Sequence, residues 1–454
     1  MRLVARFAMD MRSEFVVVDI FDGEMRRTKV PKEDPRMETA ADRYPAAIWF
    51  ERKIRDDFGI EFSGSFDQRP LLHHERFPLS VHPMRRDFDG EAPFVPYHNY
   101  PYEAIGGDGV FQVAVGPIHA GIIEPGHFHF SQEGENMLHQ EVRHFYKWRG
   151  IEKMAEGMNP AELPALVEKI SGNESIAYQI ACFELLAEAS RMEISHGRRC
   201  WHALLLEMER LAHHLTDLGF IPNDAGFASA LAFLSMKTEE IRREMQALTG
   251  HRFGFGAIRG ERISFERDRL SRYLETLESE MRWFEAWITD IPSLWDRFDT
   301  TGILTPGDAR KYGVTGVMAR ASGIGIDRRS GEFYRSLGFE MQSEESGDVA
   351  ARFKLRLGEL FNSIEIIRNA IDSEDEEIGF GDFEDGEYHC FVESSIGELL
   401  LFLRIEGGVV DRLYARDPSF VNWQALHLMM PGNIIADFPL INKSCDLSYA
   451  GNDL

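Results

Sequence analysis

Five stretches of the chain repeat apolar residues every three or four positions, and no other feature constrains the fold as much. They are residues 175–191, 201–218, 228–250, 264–289 and 348–371. Such spacing puts the apolar side chains on one face of an α-helix, which must then be buried against a neighbour. Gly250 supplies a C-terminal stop for the third stretch, because glycine accepts the left-handed backbone that ends many helices. Helical patterning is expected from about Glu133 onward, giving a bundle.

The period changes on either side. Residues 13–20, SEFVVVDI, are an apolar run too short for a helix and read as a strand. Residues 46–57, AAIWFERKIRDD, read as a helix that stops at Phe58-Gly59. From Pro78 to Gly109 several prolines and glycines mark a linker. Residues 387–414 read as strands with a turn at Gly407-Gly408. The expected fold class is therefore α+β. A small α/β domain with its linker, residues 1–95, precedes a large, mainly helical domain, residues 96–454, with peripheral strands.

Charge narrows the function. Against 50 Lys and Arg stand 75 Asp and Glu, a net charge of -25. Such a surface repels phosphate backbones, so no nucleic acid is expected as a partner. The four cysteines, Cys182, Cys200, Cys390 and Cys445, lie too far apart in sequence for a zinc or iron–sulfur ligand pair. Their scarcity fits a reducing compartment. Asp10 and Arg12 interrupt the N-terminal apolar residues, so no signal peptide is read there. No apolar run reaches the roughly 20 residues of a membrane span.

Some residues point to chemistry. In VGPIHAGIIEPGHFHF, residues 115–130, Gly116 and Gly121 allow close backbone approach and place His119 and Glu124 centrally. A glutamate between Ile123 and Pro125 is expected to be desolvated and to hold a proton more tightly. It then either carries protons or serves as a hydrogen-bonded structural carboxylate. His127 and His129 alternate along a strand-like run and have no acidic or sulfur partner nearby in sequence, which argues against a metal pair. In HALLLEMERLAHHL, residues 202–215, Glu209 and His213 lie four apart on one helical face. They read either as part of a buried proton path or as a simple intrahelical pair.

Several of these stretches resemble one family. Residues 51–88, ERKIRDDFGIEFSGSFDQRPLLHHERFPLSVHPMRRDF, look like the signature of the thirty-kilodalton subunit of complex I. The strand-turn at 115–130, YKWRGIEKMAE at 146–156 and the helix at 202–215 resemble the large subunit of group 4 energy-converting [NiFe] hydrogenases and the complex I forty-nine-kilodalton subunit. Trp148 stands where that family has a histidine. KYGVTGVMARASGIGIDRR, GDVAARFKLRLGELFNSIEII, RDPSFVNWQAL and IIADFPLINKSCDLSYAGNDL continue the likeness. Within them Asp327, Asp348, Arg352, Arg356, Glu359 and Ser363 read as buried ion pairs and caps that brace the bundle.

The resemblance implies a small docking module fused to a hydrogenase-large-subunit-like domain. It also shows what is missing. Counting from the helix at 195–211, the first nickel-binding Cys-x-x-Cys falls on Ser171 to Glu174, and the second falls on Ser448 to Gly451. All four thiolates are absent, and Ile396 replaces the arginine that overhangs the metal. Nickel and iron in such centres need soft thiolate ligands. The sequence ends three residues after Gly451, with no obvious tail for maturation to remove.

The two residues that hold the quinone head group in complex I fall on Gly172 and, by simple counting, Ile123. Neither is kept. The resemblance implies no cofactor bound by this chain, a [4Fe–4S] cluster in an adjacent iron–sulfur small subunit, and membrane subunits below. It implies a peripheral place at the cytoplasmic face of the membrane. Three functions follow from it: an electron-transfer subunit of a complex-I-like oxidoreductase, with quinone as a candidate acceptor and coupled ion movement; a silent scaffold of such a complex; or an active hydrogenase, which the missing thiolates disfavour.

Overall fold

A computed structural model describes residues 1–119, 123–258, 266–373 and 379–454. The chain opens with an antiparallel meander, β1 (Leu3–Asp10), β2 (Glu14–Phe21) and β3 (Glu24–Pro31). β1 is buried along its whole length although it carries Arg6 and Asp10. Arg6 lies opposite Asp19 in the register and pairs with it at 2.6 Å and with Glu51 at 2.5 Å. Those charges hide the strand from an apolar-pattern reading. A short parallel pair, β4 (Arg36–Glu38) and β5 (Glu61–Ser63), flanks α1 (Ala47–Phe58). Gly59 ends α1 at a φ of 72°. A Cβ there would sit 2.6 Å from His82 and Arg85 side-chain nitrogens, so glycine is required.

Residues 64–109 contain no helix or strand. A second meander follows, β6 (Val110–Val115), β7 (His127–Glu133) and β8 (Asn136–Arg143). The expectation of helix from about Glu133 fails here. β8 pairs with β7, and its Met137 enters the core. Helix begins only with α2 (Ile151–Ala155) and α3 (Leu163–Val167).

The bundle then forms as the apolar spacing predicts: α4 (Ser175–Ala189), α5 (His196–Asp224), α6 (Ala228–Thr249) and α7 (Arg267–Thr289). Residues 264 and 265 of the expected last helix lie outside the described residues. Short helices α8 (Pro292–Phe298), α9 (Pro306–Lys311), α10 (Gly316–Ala321) and α11 (Glu332–Ser336) lead into α12 (Val349–Ala370), which packs along α5.

A third meander, β9 (Gly386–Glu393), β10 (Glu398–Glu406) and β11 (Val409–Arg416), turns at Gly407-Gly408. The chain closes with α13 (Pro418–Ala425), α14 (Phe438–Cys445) and α15 (Tyr449–Asp453). One apolar core joins α4–α7, α12 and the third sheet. Another joins β1, β2 and α1 to α13 and α14. Phe7 stacks on Tyr414 at 4.2 Å and Phe50 meets Phe420 at 4.9 Å. Residues on both sides of the 78–109 linker thus share one core. The fold is α+β, with a strand-rich N-terminal part and a larger helical part.

Candidate functional site

The four positions at which the resemblance expects thiolates gather in one place. Ser171 lies just before α4 and Ser448 caps α15, and their Oγ atoms are 3.3 Å apart. Gly451 donates its N–H to Ser448 Oγ at 2.9 Å. A Cβ on Gly451 would stand 2.0 Å from Asp417 Oδ2. The buried Glu174 accepts a hydrogen bond from Ser394 at 2.5 Å. One turn along α4, Tyr178 donates to Asp417 Oδ2 at 2.8 Å. Burial, then the nearby Asp417, push the Glu174 carboxyl well above the usual carboxylate range, and raise the Tyr178 hydroxyl in the same way.

Asp417 sits at the centre of this arrangement, a role that sequence reasoning missed. The one signal was an aspartate before proline at a helix start. It caps α13 through Ser419 N at 2.8 Å.

This donor set does not fit nickel and iron. It offers hydroxyls and carboxyls, which are hard ligands, and no side chain at all at Gly451. Asp417 already occupies the space a fourth ligand would need. Burial pushes the Cys445 thiol up, and its side chain is packed in the apolar core. Ile396, at the turn where the family has an arginine, is likewise buried in that core.

Beside the quartet lies a cavity of about 280 Å³. Gly172 and Ile123, far apart in sequence, both line it, as do Glu209 and His213. Met208, Phe220, Met245 and Phe253 make much of the wall apolar. Glu209 and His213 do not form the simple intrahelical pair. Glu209 turns to α4 and accepts from Ile176 N at 2.7 Å and Ala177 N at 3.2 Å. Burial pushes its carboxyl up to about 8, although both N–H groups favour the charged form.

His213 Nδ1 faces Asp446 at 3.2 Å and Asp217 at 3.6 Å. These three residues are spaced closely enough to suggest a metal site, with ligand atoms within 4.8 Å. Their charges are already matched, however. Arg356 reaches Asp217 at 2.8 Å, and Lys443 pairs with Asp446. Burial raises the Asp217 carboxyl, with Asp446 adding to the effect. Burial also acts on Asp446, but Lys443 and His213 outweigh it and hold that carboxyl well below the usual range.

The strand-turn behaves differently from its sequence. Glu124 is not enclosed: its side chain is 32% exposed and pairs with Lys147 Nζ at 3.1 Å. Ile123 and Pro125 flank it in sequence without covering it in space. His119 Nε2 lies 2.7 Å from the Gly126 carbonyl. Gly116, at a φ of 88°, comes so close to that carbonyl that a Cβ would be 2.2 Å away. Gly121, the second glycine of the motif, lies outside the described residues. His127 and His129 flank the Tyr102 ring at 4.9 and 4.7 Å.

Comparison with known proteins agrees with this architecture. Residues 224–380 and 378–453, together just over half of the chain, match the family described as respiratory-chain NADH dehydrogenase, 49 Kd subunit. Residues 2–94 match the 30 Kd subunit of the same enzyme. Formate hydrogenlyase subunit 5 of Escherichia coli is 29% identical over 94% of this chain and 78% of its own length. An NADH-quinone oxidoreductase subunit of Phocaeicola vulgatus is 25% identical over 91% of this chain and 86% of its own. A chain of the membrane-bound sulfane sulfur reductase, an archaeal respiratory membrane complex, shares the fold with a TM-score of 0.70 at 22% identity. That match covers 78% of this chain and 100% of the other.

Proposed function

Because the chain belongs to the family of the respiratory-chain NADH dehydrogenase 49 Kd subunit, with a 30 Kd-subunit segment fused ahead of it, we propose that it is the large subunit of a membrane-associated, complex-I-like oxidoreductase that works without nickel and iron. Its cavity takes a quinone-type electron acceptor. Electrons arrive from a [4Fe–4S] cluster in an iron–sulfur small subunit. Partner subunits supply the membrane anchor, and the chain sits at the cytoplasmic face; among the described residues no helix is long and apolar enough to cross a membrane.

The observation that carries this reading is the convergence of Gly172 and Ile123 on one open cavity. A space of about 280 Å³ is near the lower end of small-molecule sites and suits a single-ring head group. Ile396 does not line it. Among the relatives, the NADH-quinone oxidoreductase subunit supports the quinone reading by its name, whereas hydrogenase-4 component G does not.

A second reading is a silent scaffold. It draws on the same two positions, since glycine and isoleucine offer no side-chain hydrogen bond to a head group. The test is purification of the intact complex, quinone extraction, and reduction of added quinone by the chemically reduced complex. Bound or reducible quinone is the expected result. A complex that neither holds nor reduces quinone would establish the scaffold reading.

A further inference from the structure

Two arginines line the cavity on the side of α6: Arg242 within that helix and Arg252 just after it. Both guanidiniums face the ring of Phe253, another wall residue, at 5.0 and 5.9 Å from its centroid. Their charges are met unequally. Arg252 pairs with Glu239 at 2.6 Å, and the exposed Arg243 draws on the same carboxylate at 3.0 Å. Arg242 is half-buried and, among the described residues, makes no ion pair and no hydrogen bond. Burial, then the neighbouring Arg252, draw its guanidinium below the ordinary arginine value, and Glu239 offsets them only in part.

Three guanidiniums therefore share one carboxylate at this rim, on a chain whose net charge is -25. A cation drawn partly out of water is costly without a counter-charge. The other carboxylates of the wall are engaged elsewhere. Asp217 meets Arg356, Asp446 meets Lys443, and Lys443 also acts on Asp224. Glu209 accepts from two N–H groups of α4.

We propose that the cavity holds a carboxylate site at Arg242 and that its ligand is an amphiphile with one carboxylate and an apolar body. The carboxylate lies on the Arg242 guanidinium with Arg252 beside it. The apolar body enters between Phe220, Ile241 and Met245. A guanidinium presents its N–H groups in a planar fork that matches the two oxygens of a carboxylate. An inorganic anion would leave the apolar wall unused, and a neutral amphiphile would leave Arg242 without a counter-charge. A space of about 280 Å³ suits one short chain or a single ring and is too small for both tails of a phospholipid. On the quinone reading, this ligand and the head group exclude one another. The carboxylate site itself stands on the rim residues alone.

The test uses the purified complex and three probes with the same tail: decanoate, decanol and decyltrimethylammonium. Binding is measured by titration for the native protein and for Arg242→Gln and Arg242→Lys, with thermal unfolding to check folding. Arg242 has no ion pair to lose, so both variants are expected to fold. Decanoate should bind the native protein about tenfold more tightly than decanol, and the cationic probe should bind weakest. Arg242→Gln should lose about that tenfold for decanoate and keep its affinity for decanol. Arg242→Lys should recover part of the loss, since it restores the charge without the fork.

A photoreactive decanoate, cross-linked to the native protein and located by mass spectrometry, fixes the place. Labelling of Phe220, Met245 or Phe253 is the expected result, and it decides alone should the variants not fold. Equal binding of decanoate and decanol would overturn the carboxylate site, as would an undiminished affinity of Arg242→Gln for decanoate. Labelling confined to residues outside the cavity would overturn it too. No quinone enters the experiment, so none of these outcomes bears on the acceptor.

Discussion

Glu209 shows how one side chain can be placed by burial against its own charge. Its carboxyl closes the first turn of α4, yet burial pushes it up to about 8 from an ordinary value of 4.5. Below pH 4.5 the folded and unfolded chains both hold this proton. Between 4.5 and 8 the unfolded chain has released it while the folded chain keeps it, so stability falls as pH rises across that window. Glu209→Gln, which cannot ionise, is expected to flatten that fall in chemical denaturation measured from pH 5 to 8. A mutant with the native slope would show that Glu209 is ionised in the fold. Glu124 is the opposite case. Its partly exposed pair with Lys147 predicts that Glu124→Gln changes stability by less than about 1 kcal/mol. Loss of coupled ion movement in that mutant, at matched assembly, would give Glu124 a role its surroundings do not suggest. Sequence neighbours misled here, because Ile123 and Pro125 precede and follow Glu124 without enclosing it. Lys147, which meets it, lies 23 residues away.

Helices were the most legible elements, because their apolar period survives any tertiary context. α4, α5, α6, α7 and α12 all lie where the spacing predicts. Strands β1 and β8 were not legible. In β1 the buried charges Arg6 and Asp10 break the apolar run, and their partners come from β2, β3-flanking residues and α1. The bracing charges were readable as a class but not as pairs. Asp348 does cap α12, accepting from Ala351 N at 2.8 Å. Arg320 on α10 ties three elements together. It meets Glu359 of α12 at 2.6 Å, Glu393 of β9 at 2.7 Å and Asp327 at 3.1 Å. Removing it leaves the buried Glu393 without its paired cation, while Asp327 and Glu359 keep Arg329 nearby, so Arg320→Ala is expected to cost about 3 kcal/mol. Arg297, whose side chain is 41% exposed in its pair with Asp437, should cost under about 1 kcal/mol when cut to alanine. Urea unfolding of the two variants measures the contrast. Equal losses would mean that the network is solvated and contributes little.

At the scale of the whole molecule, the candidate site is assembled from segments almost three hundred residues apart, so it was legible only as positions to be checked. Ser171 and Ser448 could be matched to a metal motif, but their meeting at 3.3 Å and the intrusion of Asp417 beside Gly451 are tertiary facts. They lead to a prediction about composition and assembly together. Hydroxyl and carboxyl donors hold nickel poorly beside thiolates, so the purified protein is expected to contain nickel far below one atom per chain, by elemental analysis after chelation. The same chain exposes Phe94 at 81%, Tyr97 at 62% and Ile118 at 85%, all within one 25-residue span. Large apolar side chains this exposed along one segment predict that a partner covers it. On the function proposed above, that cover is the iron–sulfur small subunit. Expressed alone, the chain should self-associate and bind a hydrophobic dye. Co-expressed with that subunit, it should become monodisperse and lose most of the dye signal. Phe94→Ser with Ile118→Ser should improve behaviour alone and weaken co-purification. A lone chain that is monodisperse and binds no dye would remove the reason for placing a partner on this face. One nickel per chain would remove the larger claim, that this fold works here without its metal.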